Sequence, residues 1–173
     1  MNILYLVIND LLDLPILYLS CFITHNKGEY YCLLQAVRDG GADNAKEWEE
    51  WILFILKGVE ETSIETTAMI KAISKMMADY KAVLKPLFGT TYKHELLNNL
   101  FFHPYTKIEF VCHDMGVQRK TGAKYLDMIV AAGLLNKIKI GRENYYINER
   151  LFELFLNYSE SVNTEDVDII RTE

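Results

Sequence analysis

The chain has 173 residues, half of them apolar and 24% charged, a balance that argues against intrinsic disorder and allows one sizeable core or two small ones. Its formal net charge of −6 argues against a protein that coats nucleic acid or anionic membrane over its whole surface, and leaves only a local basic patch. The three cysteines, Cys21, Cys32 and Cys112, are odd in number and lack framework spacing, so no disulfide and a reducing, cytoplasmic setting are expected.

Residues 2–9 predict a short helix that is apolar nearly all round, through Ile3, Leu4, Tyr5, Leu6, Val7 and Ile8. Such a helix belongs in a core or drives self-association, which makes a homo-oligomer an expected partner state. It has no basic flank, and Asn9, Asp10, Asp13 and Pro15 interrupt it, so neither a signal peptide nor a membrane span is expected. Residues 14–38 then read as a helical hairpin. Asp13 caps the first arm, Pro15 sits just inside its start, and His25-Asn26-Lys27-Gly28 breaks the pattern before Glu29 opens the second arm. Both arms carry wide apolar faces that need a partner surface larger than the hairpin.

Asp39-Gly40-Gly41-Ala42-Asp43-Asn44 is a loop in which Gly40 or Gly41 supplies a left-handed cap and Asp43 or Asn44 caps the next helix. From Trp48 to Leu84 apolar residues recur at three- and four-residue steps, predicting a long helix that stops near Lys85, before Pro86. Gly58 and the threonines Thr62, Thr66 and Thr67 mark where it would kink. Leu87-Phe88-Gly89-Thr90-Thr91 reads as a linker. Beyond it come a helix from Tyr92 to Phe102 ended by Pro104, a short helix capped by Thr106, a tight turn at Gly116 and a longer helix from Gln118 to Ala132. Alternating runs at 134–140 and 145–148, separated by Gly141-Arg142-Glu143-Asn144, read as a hairpin, followed by a closing helix from Glu149 to Tyr158 and an acidic tail to Glu173.

Two resemblances follow from these residues. Helix, turn, helix and hairpin in that order resemble a winged-helix domain, in which the second helix enters a major groove and the wing touches phosphate. Pro15-Ile16-Leu17-Tyr18-Leu19-Ser20, then Glu29-Tyr30-Tyr31 with Leu34 and Val37-Arg38, then Trp48, Trp51-Ile52, Phe54, Leu56, Gly58 and Val59 resemble the helices that follow the active-site loop of Fic-domain proteins. Many members of that family are adenylyltransferases that move AMP from ATP to a protein hydroxyl, and a C-terminal winged helix is common in one branch. The resemblance implies a mainly α fold: a helical remnant of the Fic core over residues 1–88, a winged helix-turn-helix over 92–158, and an acidic tail over 159–173.

The family signature, His-Pro-Phe-x-x-Gly-Asn-Gly-Arg/Lys-x-Gly-Arg, would lie immediately before Met1 and is not in this sequence, as expected of a truncated gene or an internal start. His103-Pro104-Tyr105 is no substitute, because no glycines follow to cradle a phosphate. The resemblance therefore gives this chain no catalytic residue and no cofactor; ATP and a divalent metal would enter only if the catalytic segment were supplied.

Charge is unevenly spread. Between Val117 and Asn144, Arg119, Lys120, Lys124, Lys137, Lys139 and Arg142 stand against Asp127 and Glu143, six bases to two acids. Basic residues on a recognition helix and wing are what phosphate contact requires. Gln118, Arg119 and Lys120 at the helix start would reach base edges, while Gly122 and Ala123 would allow close approach. Lysines that merely solvate the surface, or a protein-binding wing, are the competing readings. DNA is thus one candidate partner and a second copy of the chain another.

No metal is expected: Cys21, His25 and Cys32 cluster on the hairpin but lack a fourth ligand at recognised spacing. No nucleophile stands beside a base. Tyr30, Tyr31, Trp48, Trp51 and Phe54 could stack an adenine, or pack the hairpin on the long helix. The resulting expectation is a module that binds rather than catalyses. Its rivals are half of an adenylyltransferase completed by an upstream segment, and a purely structural dimer.

Overall fold

The computed structural model describes residues 2–12, 18–40 and 44–161. They fall into two compact units, Met1–Ile70 with Ser159–Glu173, and Lys71–Tyr158. The architecture is mainly α with a small antiparallel sheet.

The first unit holds α1 (Asn2–Ile8), α2 (Leu19–His25), α3 (Lys27–Asp39) and the opening part of α4 (Ala45–Phe88). In α1, Leu6 and Val7 are half-buried while Tyr5 and Ile8 are exposed; a helix apolar on every side has more greasy surface than one contact face hides. Asp13, Pro15 and the start expected for the first hairpin arm lie outside the described residues. The expected break at residues 25–28 shrinks to Asn26 alone. Local hydrogen bonds explain why: His25 Nδ1 lies 2.8 Å from the Cys21 carbonyl, and Asn26 donates both its backbone N–H and, at 2.9 Å, its side-chain amide to Phe22 O. With the last carbonyls of α2 satisfied, the chain re-enters a helix at once. At the far end of α3, Gly40 is right-handed (φ −67°, ψ −7°) rather than a left-handed cap. Asn44 donates its side-chain amide to the Val37 carbonyl instead, at 2.8 Å.

Aromatic rings join the hairpin to α4. Phe22 and Phe54 are both buried with centroids 5.1 Å apart, and Tyr30 packs 5.0 Å from Trp51. Core packing, one of the two roles expected of the aromatic set, therefore holds for Tyr30, Trp51 and Phe54, whereas Tyr31 and Trp48 are exposed. α4 does not break at Gly58. A Cβ there would stand 2.5 Å from Phe22 Cδ1, so this glycine admits a ring rather than bending the helix. Nor does α4 stop before Pro86, which lies inside it. Proline removes the hydrogen bond to the carbonyl of Ala82 and crowds that carbonyl with its ring, and burial of Leu84 and Phe88 on one face carries the helix past that loss.

The second unit continues from α4 through a 3-10 turn (Gly89–Thr91) to α5 (His94–Phe102), β1 (Tyr105–Thr106), α6 (Ile108–Met115), α7 (Arg119–Ala131), β2 (Asn136–Ile140), β3 (Glu143–Ile147) and α8 (Glu149–Ser161). The sheet order is β1-β3-β2, both pairings antiparallel. β1 goes beyond the expected hairpin. Thr106 pairs with Tyr146 in the sheet, is 1% exposed and donates its hydroxyl to Asn99 Oδ1; it does not cap α6, whose N-cap position is Lys107. The core gathers Leu84 and Phe88 of α4, Leu96, Leu97 and Leu100 of α5, Val111 and Met115 of α6, and Leu126 and Ile129 of α7, closed by Leu134, Leu135 and Tyr146.

A buried polar knot ties this unit together. The Tyr80 hydroxyl, fully buried, lies 2.8 Å from the Leu134 carbonyl and 2.7 Å from Asn148 Oδ1. Asn148, also fully buried, donates its amide to Leu100 O at 3.2 Å, and its Oδ1 accepts from the Leu151 N–H at the first turn of α8. Burial pushes the Tyr80 phenol pKa upward, with Arg150 opposing in part. The neutral phenol's contribution is complete below the unfolded value of about 10 and is lost as pH rises through the higher folded value. Urea midpoints should therefore hold from neutral pH to about 10 and fall beyond it. Tyr80→Phe should lower the neutral-pH midpoint but flatten the alkaline fall; an equally steep fall in both proteins contradicts the assignment.

Candidate nucleic-acid interface

The turn between α6 and α7 is set by Gly116, whose φ of 64° and ψ of 37° place it in the left-handed region where glycine carries no Cβ penalty. Gln118 then takes the N-cap position of α7 with extended backbone, and its carbonyl accepts from Thr121 and Gly122. Gly122 is buried against α6: a Cβ there would lie 2.7 Å from Cys112 Sγ. The close approach it allows is thus helix to helix, not protein to nucleic acid, and corrects the role expected of it. Gly141, at φ 61°, opens the two-residue turn between β2 and β3, with Arg142 at its tip.

Gln118, Arg119, Lys120, Lys124, Lys137, Lys139 and Arg142 are all exposed, and they are differently engaged. Arg119 Nη1 donates to Glu109 Oε1 at 3.2 Å, a strongly exposed pair of the kind that contributes at most about 1 kcal/mol. Lys137 is bound more closely: its Nζ is 2.7 Å from Asp127 Oδ1 and 5.4 Å from the centre of the Tyr146 ring, and the Asp127 hydrogen bond raises its pKa. This lysine fastens β2 to α7. Lys120, Lys124, Lys139 and Arg142 make no ion pair among the described residues.

Arg119 and Arg142 line one small cleft of about 60 Å³ with Lys107, Ile108, Glu109, Glu143 and Asn144. The start of α7 and the hairpin turn, 23 positions apart in the chain, thus meet. Lys107 was not among the expected residues because it precedes the basic stretch. Its Nζ sits 2.6 Å from Glu143 Oε2 and 4.4 Å from the centre of the Tyr145 ring. The hydrogen bond to Glu143 raises the lysine pKa and, reciprocally, lowers that of the carboxylate. Both groups stay charged across the neutral range.

On the hairpin, burial raises the Cys21 thiol pKa, with Glu65 adding to it. Among the described residues no three His, Cys, Asp or Glu side chains are grouped to hold a metal ion, and no helix is long and apolar enough to cross a membrane.

Residues 76–151 match the family profile described as protein adenylyltransferase SoFic-like, C-terminal domain. This is a likeness of that segment, which is less than half of the chain. The profile's description names the family that residues 15–59 resemble, and the match lies further along the chain. The matched segment runs from the last turns of α4 through Leu151 and contains Tyr80, Asn148 and the whole sheet. A crystal structure of RV1404 from Mycobacterium tuberculosis is similar over 64% of this chain and 80% of that one, at 17% identity and a TM-score of 0.30. So loose a likeness carries no argument.

Proposed function

We propose that residues 92–158 form a winged helix that binds duplex nucleic acid as the accessory module of a Fic-type protein. In this reading residues 1–88 are the helical C-terminal part of the Fic-like domain, 92–158 the winged helix and 159–173 an acidic tail. The observation that carries it is that Arg119, at the start of α7, and Arg142, at the hairpin tip, line one cleft; Lys120, Lys124 and Lys139 of the same helix and hairpin are exposed. Gln118, Arg119 and Lys120 face base edges, and Lys124, Lys139 and Arg142 take phosphates. Lys137 contributes less because Asp127 already holds it.

Each phosphate bound by a lysine or arginine releases condensed counterions, so binding should weaken as salt rises. Replacing Lys124, Lys139 and Arg142 by alanine should weaken duplex binding about uniformly across sequences and reduce the salt slope by about 3, one for each cation removed. Fluorescence anisotropy of a labelled duplex at several salt concentrations measures both. An unchanged slope in the triple variant sinks the assignment.

A second reading is favoured by the matched profile's own description and by the exposed Ile52, Leu53, Leu56 and Ile64 of α4 with Tyr31 and Leu34 of α3. Here the chain is part of an adenylyltransferase, and those apolar residues receive the segment bearing the catalytic loop. Reading the nucleotide sequence upstream of Met1 in every frame for His-Pro-Phe-x-x-Gly-Asn-Gly tests it; absence of the motif in all frames removes this reading.

A further inference from the structure

The junction of α5, β1 and α6 holds a pocket of about 250 Å³ walled largely by rings. Phe102 ends α5 and is 80% exposed, an unfavourable placement for a phenylalanine with nothing over it. His103 stands edge-on to it at 4.7 Å and nearly parallel to Tyr105 at 6.0 Å, with Phe110 of α6 on the far side. At the pocket's edge lies Asp114. Its Oδ2 accepts from the Asn99 amide at 2.6 Å and its Oδ1 from His113 Nδ1 at 3.0 Å, bonds that hold the carboxyl below its usual pKa and keep it ionised. Asn99 is itself fixed, since the buried Thr106 hydroxyl occupies its oxygen and leaves the amide pointed at Asp114.

Asn99, Phe102 and Asp114 also line an adjoining cavity of about 290 Å³, to which Glu95 adds a second carboxylate. No lysine or arginine lines either cavity. Aromatic faces with a carboxylate and no lysine or arginine suit a positive, flat group that stacks on rings while donating to an anion, in competition with His113 for Asp114 Oδ1. We propose that this pocket takes a guanidinium, presented by an arginine side chain of a partner polypeptide, with Phe102 and Tyr105 as the stacking faces and Asp114 as the acceptor. A planar guanidinium stacks on an exposed ring such as Phe102 better than a compact ammonium does, and is less costly to strip of water. This site is separate from the nucleic-acid reading and stands or falls independently of it.

The test is a titration of the full chain with acetyl-Gly-Arg-Gly-amide at millimolar concentration, followed through the backbone amide signals of residues 99–114. The same peptide with citrulline in place of arginine keeps the shape and removes the charge. Saturable shifts with the arginine peptide, at least tenfold weaker binding of the citrulline and lysine peptides, and a similar loss in Asp114→Asn are expected. Phe102→Ala should also bind at least threefold more weakly while keeping the wild-type melting curve, because so exposed a ring adds little to the fold. Equal binding of arginine and citrulline peptides, wild-type affinity in Asp114→Asn, or no saturable shift between residues 99 and 114 would overturn the proposal. Lysine binding as tightly as arginine would overturn the guanidinium assignment.

Discussion

Replacing Asn148 by alanine should destabilise residues 71–158 by about 3 kcal/mol or more. One side chain joins four segments there: it accepts from Tyr80 of α4 and from the Leu151 N–H of α8, it donates to Leu100 of α5, and it sits at the end of β3. Alanine leaves the Leu100 carbonyl without this donor, takes one of two acceptors from the Tyr80 hydroxyl, and removes the side-chain oxygen at the start of α8, a loss that by itself costs about 1 kcal/mol. Because the site is wholly buried, water cannot step in without disturbing the core. Tyr80→Phe removes only the hydroxyl and should cost less, about 1 to 2 kcal/mol. Urea unfolding followed by far-UV circular dichroism compares the two. A loss below about 1 kcal/mol in Asn148→Ala would mean that the knot is incidental to stability.

Gly58→Ala should destabilise the first unit, although alanine is the better helix former by about 1 kcal/mol. The added methyl would meet the Phe22 ring at 2.5 Å, and that ring is buried against Phe54 and has little room to retreat. Overpacking of this kind costs about 1 to 3 kcal/mol, so the net loss should be about 1 kcal/mol. Both tryptophans, Trp48 and Trp51, lie in this unit, so tryptophan fluorescence follows its unfolding apart from the second unit. A raised midpoint in Gly58→Ala would show that helix propensity outweighs the clash.

Much of the fold could be read where hydrophobic period and turn chemistry agree. The switch from three- and four-residue steps in α6 and α7 to alternation in β2 and β3, with Gly116 and Gly141 at the turns, placed those elements to within a residue or two at most ends. Local signals misled where a tertiary contact outweighed them. Gly58 has the propensity of a helix breaker, and Phe22 gives it another purpose. Pro86 should have stopped α4, and the buried Leu84 and Phe88 carry the helix through. Thr106 looks like a cap beside a helix start, but its backbone pairs with Tyr146 and its hydroxyl is taken by Asn99.

The basic residues of the candidate interface were visible from charge counting alone, which finds cations but not their partners. Lys137 looked as available as Lys139, and only the fold shows Asp127 against it. Counting also missed Lys107, which lies outside the basic stretch yet lines the same cleft as Arg119 and Arg142. The aromatic pocket had no linear signal, since Phe102, Tyr105 and Phe110 follow no helical spacing until β1 turns the chain between α5 and α6. A two-residue strand lies below what periodicity resolves.

The most direct test of the nucleic-acid reading is a residue-by-residue map of amide shifts as duplex DNA is added to the full chain at low salt. The account predicts progressive shifts over residues 118–124 and 139–142 that fade as salt is raised, with α2 and α3 unmoved. Shifts confined to residues 1–70, or none at any DNA concentration, would contradict it.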